Sequence, residues 1–164
     1  VADLANDTTL RLASVPNIIG IKDATANIER TGDLLRRAPQ GFAVYSGDDA
    51  TGVAAILLGG RGIISVTANV APRLMHAMCA AALAGDVATA RALHFRLLPL
   101  HMKLFVEANP IPVKCAMRLL SLDSGETRLP LGAAAGKTEE GLRSQLQSLG
   151  MLGAALEHYI DPRD

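Results

Sequence analysis

The stretch Ile18-Ile19-Gly20-Ile21-Lys22-Asp23-Ala24-Thr25 decides the fold, because it joins an apolar run of strand length to a polar turn with a lysine at the junction. Ile18 to Lys22 is continuously apolar rather than alternating, which predicts a strand covered on both faces, as in a parallel sheet. Two more runs of this kind follow, Phe42 to Ser46 and Gly62 to Thr67. Between the first two, Asn27 to Arg37 carries an Asn cap, apolar residues at helical spacing and arginines in its last turn. Between the second and third, Asp49 to Leu58 reads as a helix capped by Asp49 and closed by Gly59-Gly60, with Asp48 turned to solvent. Ahead of all of these, Asp7 to Ala13 reads as a capped helix. The succession strand, helix, strand, helix, strand makes the class α/β.

After Asn69 no further strand is expected. Pro72 opens a helix that Gly85 stops, and Asp86 caps a long one running to about Glu107. Asn109-Pro110-Ile111-Pro112 breaks it, and Val113 to Leu122 resumes. A polar, glycine-containing loop leads to a last helix capped by Thr138, with Glu139 and Glu140 in its first turn.

Bulk properties narrow the function classes. A chain of 164 residues that is 49% hydrophobic buries a sizeable core. Its 16 Lys and Arg balance 16 Asp and Glu, so no overall field points to nucleic acid or an anionic membrane surface, and a small polar metabolite fits better. Cys79 and Cys115 each sit in an apolar helical run and read as buried thiols, which suits a reducing cytosol. The longest apolar run, Ala50 to Leu58, falls well short of the roughly 20 residues that span a bilayer. Val1 is not a methionine, no basic and apolar leader opens the chain, and an upstream part is expected to be missing.

The chemistry turns on Lys22. A lysine attacks a ketone only when unprotonated, so its site must disfavour the ammonium by desolvation or a neighbouring cation. At the end of a buried strand Lys22 is suitably placed, on the same side as Ile18 and Gly20, with Gly20 leaving space below it. Spacing alone leaves a second reading open, that of a lysine snorkelling from a strand end into water. Ser46-Gly47-Asp48-Asp49 and Gly62 to Asn69 weigh against it, since each also falls at the C-terminal end of a strand, where a (β/α) barrel builds its active site.

Gly20 to Thr25, Ser46 to Asp49, Gly62 to Asn69 and Phe105-Val106-Glu107-Ala108-Asn109-Pro110-Ile111-Pro112-Val113-Lys114, in this order and at these separations, resemble successive blocks of the dihydrodipicolinate synthases. The resemblance runs from about Val15 to Leu152. It implies a partial TIM (β/α)₈ barrel over residues 1–70, holding strands that resemble six to eight of the family, followed by the last barrel helix, a C-terminal helical region and a tail over 71–164. It implies that Lys22 forms a Schiff base with pyruvate and that the enamine then attacks the aldehyde of aspartate semialdehyde, the entry to lysine biosynthesis. The iminium is the electron sink, so neither a metal nor an organic cofactor is implied. Ile64 matches the residue whose backbone carbonyl faces pyruvate, and Gly47 matches the glycine ending the neighbouring strand. Family members are cytoplasmic and commonly tetrameric, so a homo-oligomer is implied for the full-length parent. The family's Gly-x-Thr-Thr segment and tyrosine relay precede the lysine, and the 21 residues before Lys22 do not hold them. Thr8-Thr9 lacks the glycine and lies in a helix-like run.

Three readings of function therefore stand side by side. One is synthase chemistry on pyruvate and aspartate semialdehyde. Another keeps the Schiff base with a sugar-derived aldehyde, as in N-acetylneuraminate lyases and keto-deoxy sugar acid aldolases; the Asn-Pro-Ile-Pro-Val-Lys block favours the first. The last is a non-catalytic half-barrel that associates through unpaired edges. Other residues read as structural. His76, His94, His101 and His158 lack a carboxylate at ligand spacing, although the seven-residue spacing of His94 and His101 allows them to share a helix face. Gly59-Gly60-Arg61-Gly62 runs helix to strand, the reverse of a phosphate loop. Met75, Met78, Met102, Met117 and Met151 read as packing residues.

Overall fold

The structure is a computed structural model that describes residues 3–153. Three parallel strands, β1 (Gly20–Asp23), β2 (Ala43–Ser46) and β3 (Gly62–Ile63), lie in the order β1-β2-β3. The described helices are α1 (Asn6–Leu12), α2 (Ile28–Arg37), α3 (Gly52–Leu57), α4 (Pro72–Leu83), α5 (Val87–Lys103), α6 (Ile111–Leu119) and α7 (Gly136–Ser148). A short 3₁₀ turn covers Thr67–Asn69. None of the described helices is long and apolar enough to cross a membrane. The chain divides into two compact units, one of residues up to 65 with 79–90, the other of 66–78 with residues from 91 onward.

In the first unit the register sets Lys22 beside Tyr45 and Tyr45 beside Gly62, so these three share one face of the sheet. Asp23, Val44 and Ser46 point the other way and are buried, together with Leu34 of α2 and Val53, Ala55 and Ile56 of α3. Each large apolar side chain buried there contributes about 1.5–3 kcal/mol. The Lys22 face is open: Lys22, Tyr45 and Ile64 are exposed. Of the two covered faces expected, one is seen within the described residues. Continuous hydrophobicity reports what a strand is suited to meet, and among the described residues only the helix side is met.

The strands are also shorter than their apolar runs. Ile18 and Ile19 precede β1, Phe42 is held in a turn by its N–H bond to Pro39 O, and β3 ends at Ile63 because Thr67 belongs to the 3₁₀ turn. Close approach explains Gly20: a Cβ there would lie 2.5 Å from the Ala43 carbonyl oxygen. The glycine is required by the neighbouring backbone, not by space for Lys22.

Capping follows local geometry. Asn27 Oδ1 accepts from the Arg30 N–H at 3.0 Å, as its spacing predicts, and Arg36 and Arg37 in the last turn of α2 bond Asp33. At α3 neither aspartate is the cap: Thr51 is the N-cap, and it makes no side-chain cap bond. Asp48 Oδ2 accepts from the Thr51 N–H at 2.8 Å and from its hydroxyl at 2.7 Å, whereas Asp49 is 1% exposed. Asp48 precedes Thr51 by three residues, a spacing at which a carboxylate reaches forward to the backbone N–H of the turn that leads into the helix; Asp49 is carried inward. α1 begins at Ala5 without a side-chain cap.

The second unit is helical. α6 packs against α7, with Ala116, Leu142 and Leu146 fully buried and Val113 and Cys115 nearly so. Leu97, Leu100 and His101 of α5, with Leu104 just past its end, form a buried stripe at the i, i+3, i+4, i+7 spacing of one helix face. The helix stops at Lys103, short of Glu107. Glu107 instead serves the last helix, where its Oε1 accepts the N–H of Ala135, the residue from which α7 starts. Thr138, expected as the cap, lies inside α7 and is buried, because the helix begins three residues earlier than its acidic turn suggests. Arg118 pairs with Glu139 at 2.6 Å, and Lys114 with Asp123 at 2.7 Å.

Candidate functional site

Three candidate residues come from the C-terminal ends of the three strands. Lys22 is the third residue of β1, Gly47 follows β2 and Ile64 follows β3. The ladder continues one step past the strands: Gly47 N–H donates to Asp23 O at 2.7 Å, and Ile64 N–H donates to Ser46 O at 2.8 Å. The ends are therefore level, with Gly47 and Ile64 at the rim and Lys22 one layer below them, beside Tyr45.

Gly47 explains the course of the lysine. A Cβ on Gly47 would lie 2.6 Å from Lys22 Cε, 3.1 Å from its Cγ and 2.7 Å from Ala24 Cβ. The Lys22 stem thus runs across the end of β2 through space that a hydrogen atom leaves and a methyl group would fill. The side chain is exposed, so the desolvation expected of a strand-end lysine is not supplied by the described residues. Tyr45, one layer below Gly47 on the same face, went unremarked in the sequence; its position two residues before Gly47 is the signal that places it there.

Behind the lysine the groups are polar and ordered. Asp23 points to the opposite face, where its carboxylate accepts from Thr25 N–H at 3.0 Å and from the Thr31 hydroxyl at 2.9 Å. A cavity of about 250 Å³ opens among α1, α2 and the end of β1, lined by Asn6, Thr9, Lys22, Asp23, Thr25 and Arg30. Arg30 bonds Asp3 and the Leu4 carbonyl. Asp33 is held at about 2 by its hydrogen bonds to Arg36, Asn6 and Arg37.

The remaining candidates are scattered. His101 is buried with Nδ1 2.7 Å from Thr67 Oγ1, and the His94 ring lies 6.0 Å from it, so the pair does share a face. Burial pushes the His94 pKa down. His76 is exposed on α4, and His158 lies outside the described residues. Among the described residues no three His, Cys, Asp or Glu side chains group as metal ligands. Gly59, at φ 115°, ends α3 as the sequence suggests. Cys79 and Cys115 are free thiols whose pKa values burial raises. Met75, Met78 and Met151 are buried, but Met102 is 64% exposed and packs little.

The parallel sheet with helices between its strands makes this an α/β protein, with a lysine and a glycine near neighbouring strand ends. The dihydrodipicolinate synthetase family model matches residues 1–149, and the chain belongs to that family. It is 60% identical over 151 residues to the 4-hydroxy-tetrahydrodipicolinate synthases of Nitrosomonas eutropha and of an Azoarcus species, covering 92% of this chain and 52% of each relative. Among solved structures, the dihydrodipicolinate synthase of Acinetobacter baumannii, complexed with pyruvate, superposes with a TM-score of 0.89 at 47% identity, over 92% of this chain and 52% of that one. The Aquifex aeolicus enzyme gives 0.88 at 38% identity, over 93% and 53%. The chain spans about half the length of the curated relatives it matches.

Proposed function

We propose that the chain carries the Schiff-base half of a 4-hydroxy-tetrahydrodipicolinate synthase. Lys22 is the nucleophile, the Ile64 carbonyl faces pyruvate, and Gly47 clears the path of the lysine. The amine adds to the C2 ketone of pyruvate and water leaves, giving an iminium. Loss of a C3 proton then gives the enamine, whose carbon bonds the aldehyde of aspartate semialdehyde. Residues 1–70 are part of a (β/α)₈ barrel, and 71–164 its last helix, a helical region and a tail. The full-length parent is a cytoplasmic homo-oligomer.

The observation that carries this reading is the Lys22 stem lying over Gly47 at a level rim of parallel strand ends. Support comes from relatives named as this synthase at 60% identity and from a solved relative complexed with pyruvate. The half-barrel association reading draws on a separate feature, the open face with Tyr45 and Ile64 exposed.

Borohydride reduction in the presence of pyruvate, followed by intact mass and peptide mapping, tests the reading. The expected result is a reduced pyruvate adduct on Lys22. A folded chain left unmodified refutes it. Adding aspartate semialdehyde or a sugar-derived aldehyde to the full-length parent identifies the second substrate.

A further inference from the structure

The chemistry assigned to Lys22 uses none of the polar groups behind it, yet the residue beside it is elaborately held. Asp23 is 9% exposed and faces away from the open side of the sheet. Its Oδ1 accepts from Thr25 N–H at 3.0 Å and its Oδ2 from the Thr31 hydroxyl at 2.9 Å. Thr31 Oγ1 also lies 3.0 Å from Asn27 O, and Asn27 Oδ1 caps α2 through Arg30 N–H. The backbone oxygen of Asp23 accepts from Gly47 N–H at 2.7 Å. One residue therefore ties the first turns of α2 to the end of β1 with its side chain, and ties β1 to the glycine under the Lys22 stem with its main chain. The same turn holds Ala26 at φ 57°, a conformation L residues adopt at a cost and keep only where surrounding bonds over-determine it.

We propose that Asp23 is a positioning residue for Lys22. Its two side-chain hydrogen bonds keep the strand end in the place from which the lysine passes over Gly47. Geometry is what it supplies; its negative charge is dispensable. The proposal rests on the Schiff-base reading. Misplacing a reacting group by about 1 Å costs on the order of 100-fold in rate, so loosening this strand end is a kinetic change before it is a change of fold.

The two side-chain bonds make the idea testable with one isosteric change. In Asp23→Asn, Oδ1 still accepts from Thr25 N–H, and the amide donates to Thr31 Oγ1, which donates in turn to Asn27 O. In Asp23→Ala both bonds are lost, and in Thr31→Val one is lost. The full chain and these three variants are treated with increasing pyruvate and borohydride, the adduct on Lys22 is quantified by peptide mapping, and hydrogen exchange is followed at the Gly47 amide.

Asp23→Asn is expected to keep the maximal rate of adduct formation within about twofold. Asp23→Ala is expected to lower it by about tenfold or more, with the half-saturating pyruvate concentration little changed and Gly47 exchange accelerated; Thr31→Val falls between. An Asp23→Ala chain that retains the original rate overturns the proposal, as does an Asp23→Asn chain as slow as Asp23→Ala, which would assign the effect to charge. If Asp23→Ala does not fold, Thr31→Val decides: a slowed rate upholds positioning and an unchanged rate overturns it. Absence of adduct in the unsubstituted chain refutes the Schiff-base reading instead. The Gly47 amide then still decides whether Asp23 holds the strand end, since protection must be lost in Asp23→Ala and kept in Asp23→Asn.

Discussion

Replacing Gly47 by alanine tests the site through its packing. The added Cβ would stand 2.6 Å from Lys22 Cε and 2.7 Å from Ala24 Cβ, against a comfortable carbon–carbon separation of about 3.5–4.0 Å. The two neighbours respond differently. The Lys22 stem is flexible and turns aside at about 0.5–1.5 kcal/mol, which slows attack on pyruvate by about 2- to 12-fold. Ala24 Cβ has no rotamer to change, so the backbone must move, and overpacking of this kind costs about 1–3 kcal/mol of stability. Gly47→Ala should therefore lower both the rate of borohydride-trapped adduct formation on Lys22 and the urea midpoint. Gly60→Ala separates the two effects. Its Cβ would lie 2.8 Å from the Ala55 carbonyl oxygen, at the opposite end of β3 from Ile64, so it should lower the midpoint and leave the adduct rate unchanged. An unchanged rate in Gly47→Ala, or an equal slowing in Gly60→Ala, would refute the claim that Gly47 makes room for the nucleophile.

Other perturbations probe the scaffold. Ala26→Gly removes a side chain from a left-handed position and should stabilise the chain by up to about 1 kcal/mol, read as a higher urea midpoint. Asp33, lowered from 3.8 to about 2, contributes stability that is present above pH 3.8 and lost as the pH falls toward 2. Asp33→Asn should flatten the stability profile across that window in acid titrations followed by circular dichroism; an unchanged slope would count against the Arg36, Asn6 and Arg37 bonds. Leu142→Ala, at a fully buried contact side of α7, should cost about 2–5 kcal/mol in urea unfolding.

Much of the architecture was legible because it depends on local rules. Asn27, Pro72, Gly85 and Asp86 mark helix ends by chemistry that acts within one turn, and the structure follows them. Asp48 and Asp49 show where such rules stop. Both are good caps, and only the path of the chain from β2 decides which carboxylate meets the Thr51 N–H. Thr138 failed for a related reason, since the partner that opens α7 is Glu107, 28 residues away. At the rim, parity along β1 set the direction of Lys22, but Gly20 and Gly47 could not be ranked from spacing. Their roles depend on cross-strand distances, 2.5 Å to the Ala43 oxygen for one and 2.6 Å to Lys22 Cε for the other. The open face was illegible for a different reason, because an apolar run does not say how many neighbours will cover it.

The hydrogen bonds around Asp23 have a consequence for design. Apart from the main-chain link to Gly47, every partner in them falls between Thr25 and Thr31. The side-chain bonds that present the lysine are thus written into one contiguous segment, residues 20–31, which is expected to act as a portable cassette beside a strand that supplies the main-chain support of β2. Grafted after a parallel strand whose neighbour ends in glycine, it should bring its own orientation with it.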